Sequence, residues 1–181
     1  MIDPTNVTNF NLTEEQLEEH ILWWICAAGK NGVTAAKCLD NLLNHWKCGT
    51  PFETIRKIDN LEQELKKFGI GCYKNKAKAF RQLVNSGINL KTCTVEELEK
   101  IHGIGCKTSR CFLIHSRPNQ RYAGLDRHLL NYLRELGYSV PKSTPIGKKY
   151  RQIEKIFLEL ADKSGKAISK LDLEIWNRSR K

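Results

Sequence analysis

The stretch between residues 94 and 128 constrains the fold and the chemistry of this chain more than any other. It reads TVEELEKIHGIGCKTSRCFLIHSRPNQRYAGLDRH. Thr94 and Glu97 have the spacing of a capping box, which predicts the start of a helix. The two glycines in 103–105 permit a tight turn with positive φ and a close approach of the backbone to another molecule. A second helix is predicted from about Lys107 to His115, so the segment 94–115 is predicted to be a helix, a hairpin and a helix.

This motif predicts a contact with DNA phosphates. The N-terminus of a helix carries backbone N–H groups and a partial positive charge, which together form an anion site. The predicted DNA-contacting residues are His102, Gly103, Ile104, Gly105, Arg127 and His128, with Lys76 further upstream. Two reactive groups accompany the motif, the amine of Lys107 and the carboxylate of Asp126, 19 residues later.

The charge balance of the whole chain fits a polyanionic partner. Lys and Arg number 30 against 20 Asp and Glu, which gives the 181 residues a net charge of +10. An anionic membrane surface would accept the same charge, but no apolar run approaches the roughly 18 residues that span a bilayer. The N-terminus is polar and acidic, unlike a secretory signal. We therefore expect no membrane partner and an intracellular location, in the cytoplasm and nucleoid or in the nucleus.

The cysteines indicate reduced thiols. Seven of them lie singly along the chain, and none belongs to a CxxC pair. Their odd number and helical settings argue against a disulfide framework and against a structural zinc site. We therefore expect no metal site.

Almost every other segment also carries a helical pattern. Capping signals occur at 13–16, at Thr50-Pro51 and at Asp126, and each precedes apolar residues at helical spacing. No segment of useful length alternates polar and apolar residues with the period of a strand. The chain is therefore predicted to be all-α, with neither a low-complexity linker nor an internal repeat.

The motif and its flanks resemble the helix-hairpin-helix (HhH-GPD) DNA glycosylases, the superfamily of endonuclease III and the 8-oxoguanine glycosylases. The sequences that carry the resemblance are Gly103-Ile104-Gly105-Cys106-Lys107, Leu125-Asp126-Arg127-His128, Tyr73-Lys74-Asn75-Lys76-Ala77 and Leu171-Asp172-Leu173-Glu174-Ile175-Trp176. Within the superfamily they look most like the small archaeal-type 8-oxoguanine glycosylase/lyases. The resemblance covers most of the chain from about residue 13 onward.

The resemblance implies one glycosylase-like unit over residues 1–181, with two helical lobes and the active site in the cleft between them. One lobe is a helical barrel of about 33–136, and the other combines 13–30 with 143–181. The implied catalytic residues are Lys107 and Asp126, and the implied candidates for the base pocket are Trp24, Asp172 and Lys181. The resemblance also implies a monomer that acts on double-stranded DNA containing a damaged base.

Two features differ from the wider superfamily. Endonuclease III and its close relatives hold an iron–sulfur cluster on four cysteines after the catalytic aspartate, whereas here no cysteine follows Cys111. Because thiolates are the ligands of that cluster, we expect no iron–sulfur cluster and no other cofactor. In addition, Cys26-Ala27-Ala28 stands where many relatives carry polar residues that fill the space of the extruded base. The means of base extrusion stays open.

The two reactive groups suit base excision with strand cleavage, once the target base has left the stack. The Asp126 carboxylate would stabilise the positive charge that develops on the sugar and assist deprotonation of the nucleophile. A neutral Lys107 amine would form a Schiff base that permits β-elimination, and burial beside a helix N-terminus is expected to lower its pKa. The predicted protein is thus a base-excision repair DNA glycosylase and AP lyase for an oxidised base, with 8-oxoguanine as the expected one.

Two other functions stay open on the sequence. Some phage-associated relatives of this fold modify thymine-derived nucleotides, and the Gly29–Gly32 segment and the missing polar residues at 26–28 are compatible with that activity. Alternatively, the chain is a noncatalytic DNA-binding module in which Lys107 contacts a phosphate and Asp126 only caps a helix. Borohydride trapping of a covalent adduct would separate the first function from the other two.

Overall fold

Helices make up all of the regular structure in the described part of the chain. The computed structural model describes residues 1–179, so Lys181, a predicted base-pocket residue, lies outside the described residues. A 3-10 turn at Pro4–Asn6 is followed by α1 (Glu14–Ala27), α2 (Gly32–Trp46), α3 (Pro51–Lys57), α4 (Leu61–Lys67), α5 (Tyr73–Val84), α6 (Val95–Glu99), α7 (Cys106–Ser116), α8 (Arg127–Glu135), α9 (Gly147–Ser164) and α10 (Ile168–Arg178). The predicted all-α class is confirmed. Within the same residues, no helix is long and apolar enough to cross a membrane.

The helices begin where the capping signals predict. At α1, α3 and α6, the hydroxyls of Thr13, Thr50 and Thr94 accept the backbone N–H three residues later, and the side chain at that later position accepts the threonine N–H. Each box satisfies backbone donors that a helix start leaves without an intrahelical partner. Local sequence therefore specifies these three starts.

The first of two compact units consists of Met1–Pro4 and Asn11–Gly105. Its core comes from α1 to α5 and their ends, where apolar residues recur at helical spacing. The largest fully buried members are Ile21, Leu22, Ile25, Leu39, Leu42, Ile55, Ile58, Leu65 and Phe80. The unit ends with α6 and the glycine hairpin at 103–105.

The second unit consists of Thr5–Phe10 and the described part of 106–181. Its core includes Ile114, Leu125, Leu129, Leu130, Leu133, Tyr150, Ile153, Phe157, Leu171 and Ile175. The N-terminal segment is tied to this unit, because the N–H of Asn9 donates to the C=O of His115 at 2.9 Å. Both residues predicted as catalytic, Lys107 and Asp126, lie in this unit.

The bounds of the two units are not those of the predicted lobes, 33–136 and 13–30 with 143–181. The division falls inside the helix-hairpin-helix motif, between Gly105 and Cys106. The composition of the lobes and the cleft between them, both inferred from the family resemblance, stay predictions.

Candidate active site

Lys107 is the second residue of α7 and is half-buried. Burial lowers the pKa of its amine, but the charges of Cys111, Asp126 and Asp172 raise it, and the pKa lies above the usual 10.5. Because burial also raises the pKa of the Cys111 thiol, that group stays protonated at neutral pH, and the two carboxylates are the charges that hold the ammonium. The predicted lowering of the Lys107 pKa was therefore wrong in direction.

Asp126 is the N-cap of α8. Its Oδ1 accepts the N–H of His128 at 2.8 Å and the N–H of Leu129 at 3.0 Å. Oδ2 takes part in neither bond. The half-buried carboxylate thus caps the helix through one oxygen, while its charge raises the pKa of Lys107.

A buried clamp holds the three residues that precede the α8 cap. The Tyr150 hydroxyl donates to the C=O of Ala123 at 2.6 Å and accepts the N–H of Leu125 at 3.0 Å. Oε1 of Glu154 accepts the N–H of Ala123 at 2.9 Å and Nε–H of Arg110 at 2.8 Å. Because these polar groups satisfy one another inside the unit, the segment that leads into α8 is held in one position.

Sequence reasoning missed this clamp, although a signal was present. Tyr150 and Glu154 are one turn apart in α9, so a glutamate falls on the apolar face of that helix. Glutamate is almost never fully buried unless it is paired, and Arg110, in the middle of α7, is its partner. A carboxylate at a core position was therefore the clue to a buried ion pair.

Arg127 and His128 form the first turn of α8. Arg127 is exposed, and its Nε lies 3.3 Å from Nε2 of His128. Nδ1 of His128 lies 2.6 Å from Oγ of Ser179. Burial, with a contribution from the Arg127 charge, lowers the pKa of His128 below 6.5, so the ring is mostly neutral at pH 7. Of the two residues, Arg127 therefore carries the charge that a phosphate contact needs.

Asp172 in α10 is held by a chain of two hydrogen bonds. Nε2 of His115 lies 3.1 Å from Oδ2 of Asp172, and Nδ1 of His115 lies 2.7 Å from Oγ1 of Thr8. A neutral imidazole with its proton on Nε2 satisfies both partners, since it donates to the carboxylate and accepts the Thr8 hydroxyl. Asp172 belongs to the same unit as Lys107, and its charge raises the pKa of the Lys107 amine.

The two hairpin glycines meet different requirements. Gly103 has φ 79°, which favours glycine, and an added Cβ would lie 3.3 Å from Cβ of Ala79. Gly105 has no positive φ, and an added Cβ would have no described atom within 4 Å. Both glycines are exposed, whereas Ile104 between them is buried. The predicted positive φ therefore holds for Gly103 and not for Gly105.

Three other predicted site residues lie in the first unit. Lys76 is 6% exposed, and its Nζ donates to the C=O of Cys26 at 2.7 Å, so its amine binds the backbone of α1 and is not presented to a DNA phosphate. Trp24 is buried in α1 with its ring centroid 4.4 Å from that of Trp23, which is a core position. His102 is half-buried beside the turn.

The cysteines and the acidic residues are the side chains that could bind a metal ion. All seven cysteines are free thiols. Within residues 1–179, no group of three or more His, Cys, Asp or Glu side chains is arranged to hold a metal ion. That the protein works without a cofactor stays a prediction.

No protein-family model matches the chain, whereas a curated relative matches a large part of it. The 8-oxoguanine DNA glycosylase/AP lyase of Methanocaldococcus jannaschii is 32% identical over 139 residues, an alignment that covers 71% of this chain and 66% of that protein. The match thus spans just under two thirds of the relative's length.

Solved structures share the fold. The crystal structure of the M. jannaschii 8-oxoguanine glycosylase/lyase in complex with a 15mer DNA containing 8-oxoguanine matches with a TM-score of 0.72 and 25% identity, over 94% of this chain and 84% of that chain. The 8-oxoguanine DNA glycosylase of Thermotoga maritima matches in fold with a TM-score of 0.68 and 23% identity, over 91% of this chain and 79% of that one. The curated relative and the structural neighbours are thus archaeal and bacterial 8-oxoguanine DNA glycosylases of the small type, consistent with the helix-hairpin-helix superfamily that the sequence resembles.

Proposed function

We propose that the protein is a DNA glycosylase and AP lyase that removes 8-oxoguanine from double-stranded DNA. The observation that carries the proposal is the setting of Lys107: it follows the glycine hairpin directly, and the charges of Asp126 and Asp172 act on its amine. An amine beside carboxylates, next to a motif suited to DNA phosphates, supplies the groups that base excision through a Schiff base needs. The names of the M. jannaschii and T. maritima relatives support the choice of 8-oxoguanine.

The reaction begins with extrusion of the damaged base from the stack. Nζ of Lys107 attacks the anomeric carbon, and the bond between that carbon and the base breaks, with the electron pair leaving on the base. Asp126 stabilises the positive charge that develops on the sugar. Opening of the sugar ring yields the imine, and β-elimination then releases the 3′ phosphate.

The raised pKa of Lys107 sets a condition on this reaction. An ammonium has no lone pair for attack, so the proton must leave before the carbon–nitrogen bond forms. We assign that proton first to Oδ2 of Asp126, which the cap of α8 does not use, and from there to solvent before attack, so that the neutral fraction of Lys107 still sets the rate. Asp126 and Asp172 thus stabilise the ammonium form of Lys107 before the reaction. Asp126 has a second role, because it then accepts the proton.

Borohydride trapping tests the proposal. Duplexes that contain 8-oxoguanine, another oxidised base, an abasic site or no lesion are incubated with the protein and borohydride, and covalent adducts are counted. Adducts are expected with the 8-oxoguanine and abasic duplexes. Lys107→Gln should abolish both trapping and strand cleavage while DNA binding is retained. Trapping by Lys107→Gln at the wild-type level would contradict the assignment.

Lys170→Gln is the matched control for this experiment. It removes the same charge from an exposed position of the same unit, on α10. Wild-type trapping by this variant separates loss of the nucleophile from loss of a positive charge. If wild-type protein binds DNA but forms no adduct with any duplex, the proposed function fails, and the two alternatives, nucleotide modification and noncatalytic DNA binding, are left.

The proposal extends to the conditions in which the protein works. An amine and carboxylates carry out this chemistry without a cofactor, and we propose that the protein acts as a monomer. Its substrate is DNA, so we propose a location inside the cell. The excess of ten positive charges supports attraction to that substrate.

A further inference from the structure

Gly124 is buried against Cys111 of α7. A Cβ built on Gly124 would lie 2.1 Å from Sγ of Cys111, 3.5 Å from its Cβ and 3.7 Å from its Cα. The thiol therefore fills the space that a side chain at 124 would need. Gly124 has no positive φ, so its backbone conformation does not require glycine. The close approach of α7 is the reason that the structure gives for a glycine here.

The helix face that packs on Gly124 is also the face that carries Lys107. Cys111 follows Lys107 by four residues in α7, and residues at this spacing lie one above the other on a helix. Cys111 is 2% exposed, so its thiol is surrounded by the core and has no open surface to turn toward. A change in the spacing at Cys111 therefore shifts the face that carries the nucleophile.

The residues directly before and after Gly124 are held by hydrogen bonds. The Tyr150 hydroxyl bonds both the C=O of Ala123 and the N–H of Leu125. In addition, Oγ1 of Thr144 donates to the C=O of Leu125 at 2.8 Å. Because these bonds fix the residues before and after Gly124, the segment has little freedom to move away from α7. A displacement of Gly124 therefore also moves Asp126, the N-cap of α8.

We infer that the fit of Gly124 against Cys111 sets the separation between the Lys107 amine and the Asp126 carboxylate, which makes Gly124 a positioning residue of the active site. The inference rests on the proposed function, because it takes the roles of Lys107 and Asp126 from there. Gly124 carries no side chain that could take part in the chemistry. The two positions are coupled, since a smaller side chain at 111 makes room for a larger one at 124.

A double-mutant cycle with Gly124→Ala and Cys111→Ala tests the inference through single-turnover base excision. In the wild-type background, the new Cβ meets the thiol, and a displacement near 1 Å of a catalytic group is expected to slow excision by about 10²-fold. In the Cys111→Ala background, the new Cβ meets only a Cβ at 3.5 Å, an ordinary contact. There the same change should cost less than about threefold, because the interaction between the two sites is gone.

Gly71→Ala is the matched control, because Gly71 has no positive φ and a Cβ there has no described atom within 4 Å. It should excise at the wild-type rate. Circular dichroism and urea unfolding check that each variant is folded. If Gly124→Ala alone does not fold, a double variant that folds and excises at the Cys111→Ala rate supports the inference, and an inactive double variant overturns it.

A second readout measures the separation without catalysis. The pKa of Lys107 is followed by NMR on protein with ¹³C-labelled lysine, since Asp126 raises that pKa. Gly124→Ala should move the pKa toward its value in Asp126→Asn, and addition of Cys111→Ala should move it back. An equal effect of Gly124→Ala in both backgrounds would overturn the inference. If the wild type excises no base, the proposed function fails, while the NMR cycle still decides whether Gly124 sets the separation.

Discussion

Asp126 binds the backbone N–H of His128 through Oδ1, the same carboxylate oxygen that binds the N–H of Leu129. The cap of α8 therefore needs one oxygen acceptor and no net charge. The effect of Asp126 on Lys107, in contrast, needs the charge of the carboxylate. Asparagine keeps an oxygen acceptor and loses the charge, so a single substitution separates the two roles.

Asp126→Asn is expected to remain folded and to lose base excision. Asparagine is as good an N-cap as aspartate, whereas loss of a cap typically costs about 1 kcal/mol. Loss of a preorganised charge in a catalytic site costs on the order of 10² or more in rate. Urea unfolding and single-turnover excision measure the two effects, with Asp126→Ala as the variant that loses both roles. Near-normal excision by Asp126→Asn would make Asp126 a structural residue.

The Schiff-base step should become faster as the pH rises. Only the neutral amine attacks, and the pKa of Lys107 lies above 10.5, so each pH unit below that value changes the neutral fraction by about tenfold. Trapping on a duplex with a preformed abasic site isolates this step from base removal. A trapping rate that is constant between about pH 7 and pH 9 would show that deprotonation of the free amine does not limit the step.

Asp172→Asn should shift this pH profile toward lower pH. The Asp172 charge stabilises the ammonium form of Lys107, so its removal lowers the pKa and increases the neutral fraction at a given pH. Asp162→Asn is the control, since Asp162 belongs to the same unit but pairs with Arg121 at 2.9 Å instead. A profile that moves to higher pH in Asp172→Asn would contradict the electrostatic assignment.

Local chemistry explains which features were predictable from the sequence. The Thr94 box and the Asp126 cap depend on residues within one helical turn, and both were predicted correctly. The pKa of Lys107 depends on residues distant in the chain, and the direction of its shift was predicted wrongly. The burial of Lys76, which also depends on distant residues, was not predicted. The Lys76 amine donates to the C=O of Cys26, and no sequence pattern around residue 76 predicts this contact.

Gly105→Val should weaken binding to damaged and undamaged duplexes alike. The position has no positive φ and open space around an added Cβ, so the substitution should leave the fold intact and obstruct an approaching phosphate. Affinity for undamaged DNA should also fall with salt by roughly one log–log unit per phosphate neutralised. Titrations at several salt concentrations measure both effects. Normal binding by Gly105→Val would remove the hairpin as a phosphate contact.

Gly103→Ala shows why Gly105 is the cleaner probe. Gly103 has φ 79°, and an added Cβ would lie 3.3 Å from Cβ of Ala79, so this variant should lose stability as well as affinity. A residue other than glycine in the left-handed region costs about 1–2 kcal/mol. Urea unfolding of both variants should therefore separate them, with Gly105→Val near the wild type.

Thr8→Val should destabilise the protein, because Thr8 supplies the partner of Nδ1 of His115 at 2.7 Å. His115 is 1% exposed, and loss of a typical hydrogen bond costs about 0.5–1.5 kcal/mol. Thr8→Ser keeps the hydroxyl and is the matched control. His115 also holds Asp172, so Thr8→Val should let the Asp172 carboxylate shift away from Lys107 and lower the pKa of that amine. NMR of labelled lysine measures this change. Equal stability of the valine and serine variants would show that the hydroxyl does not hold His115.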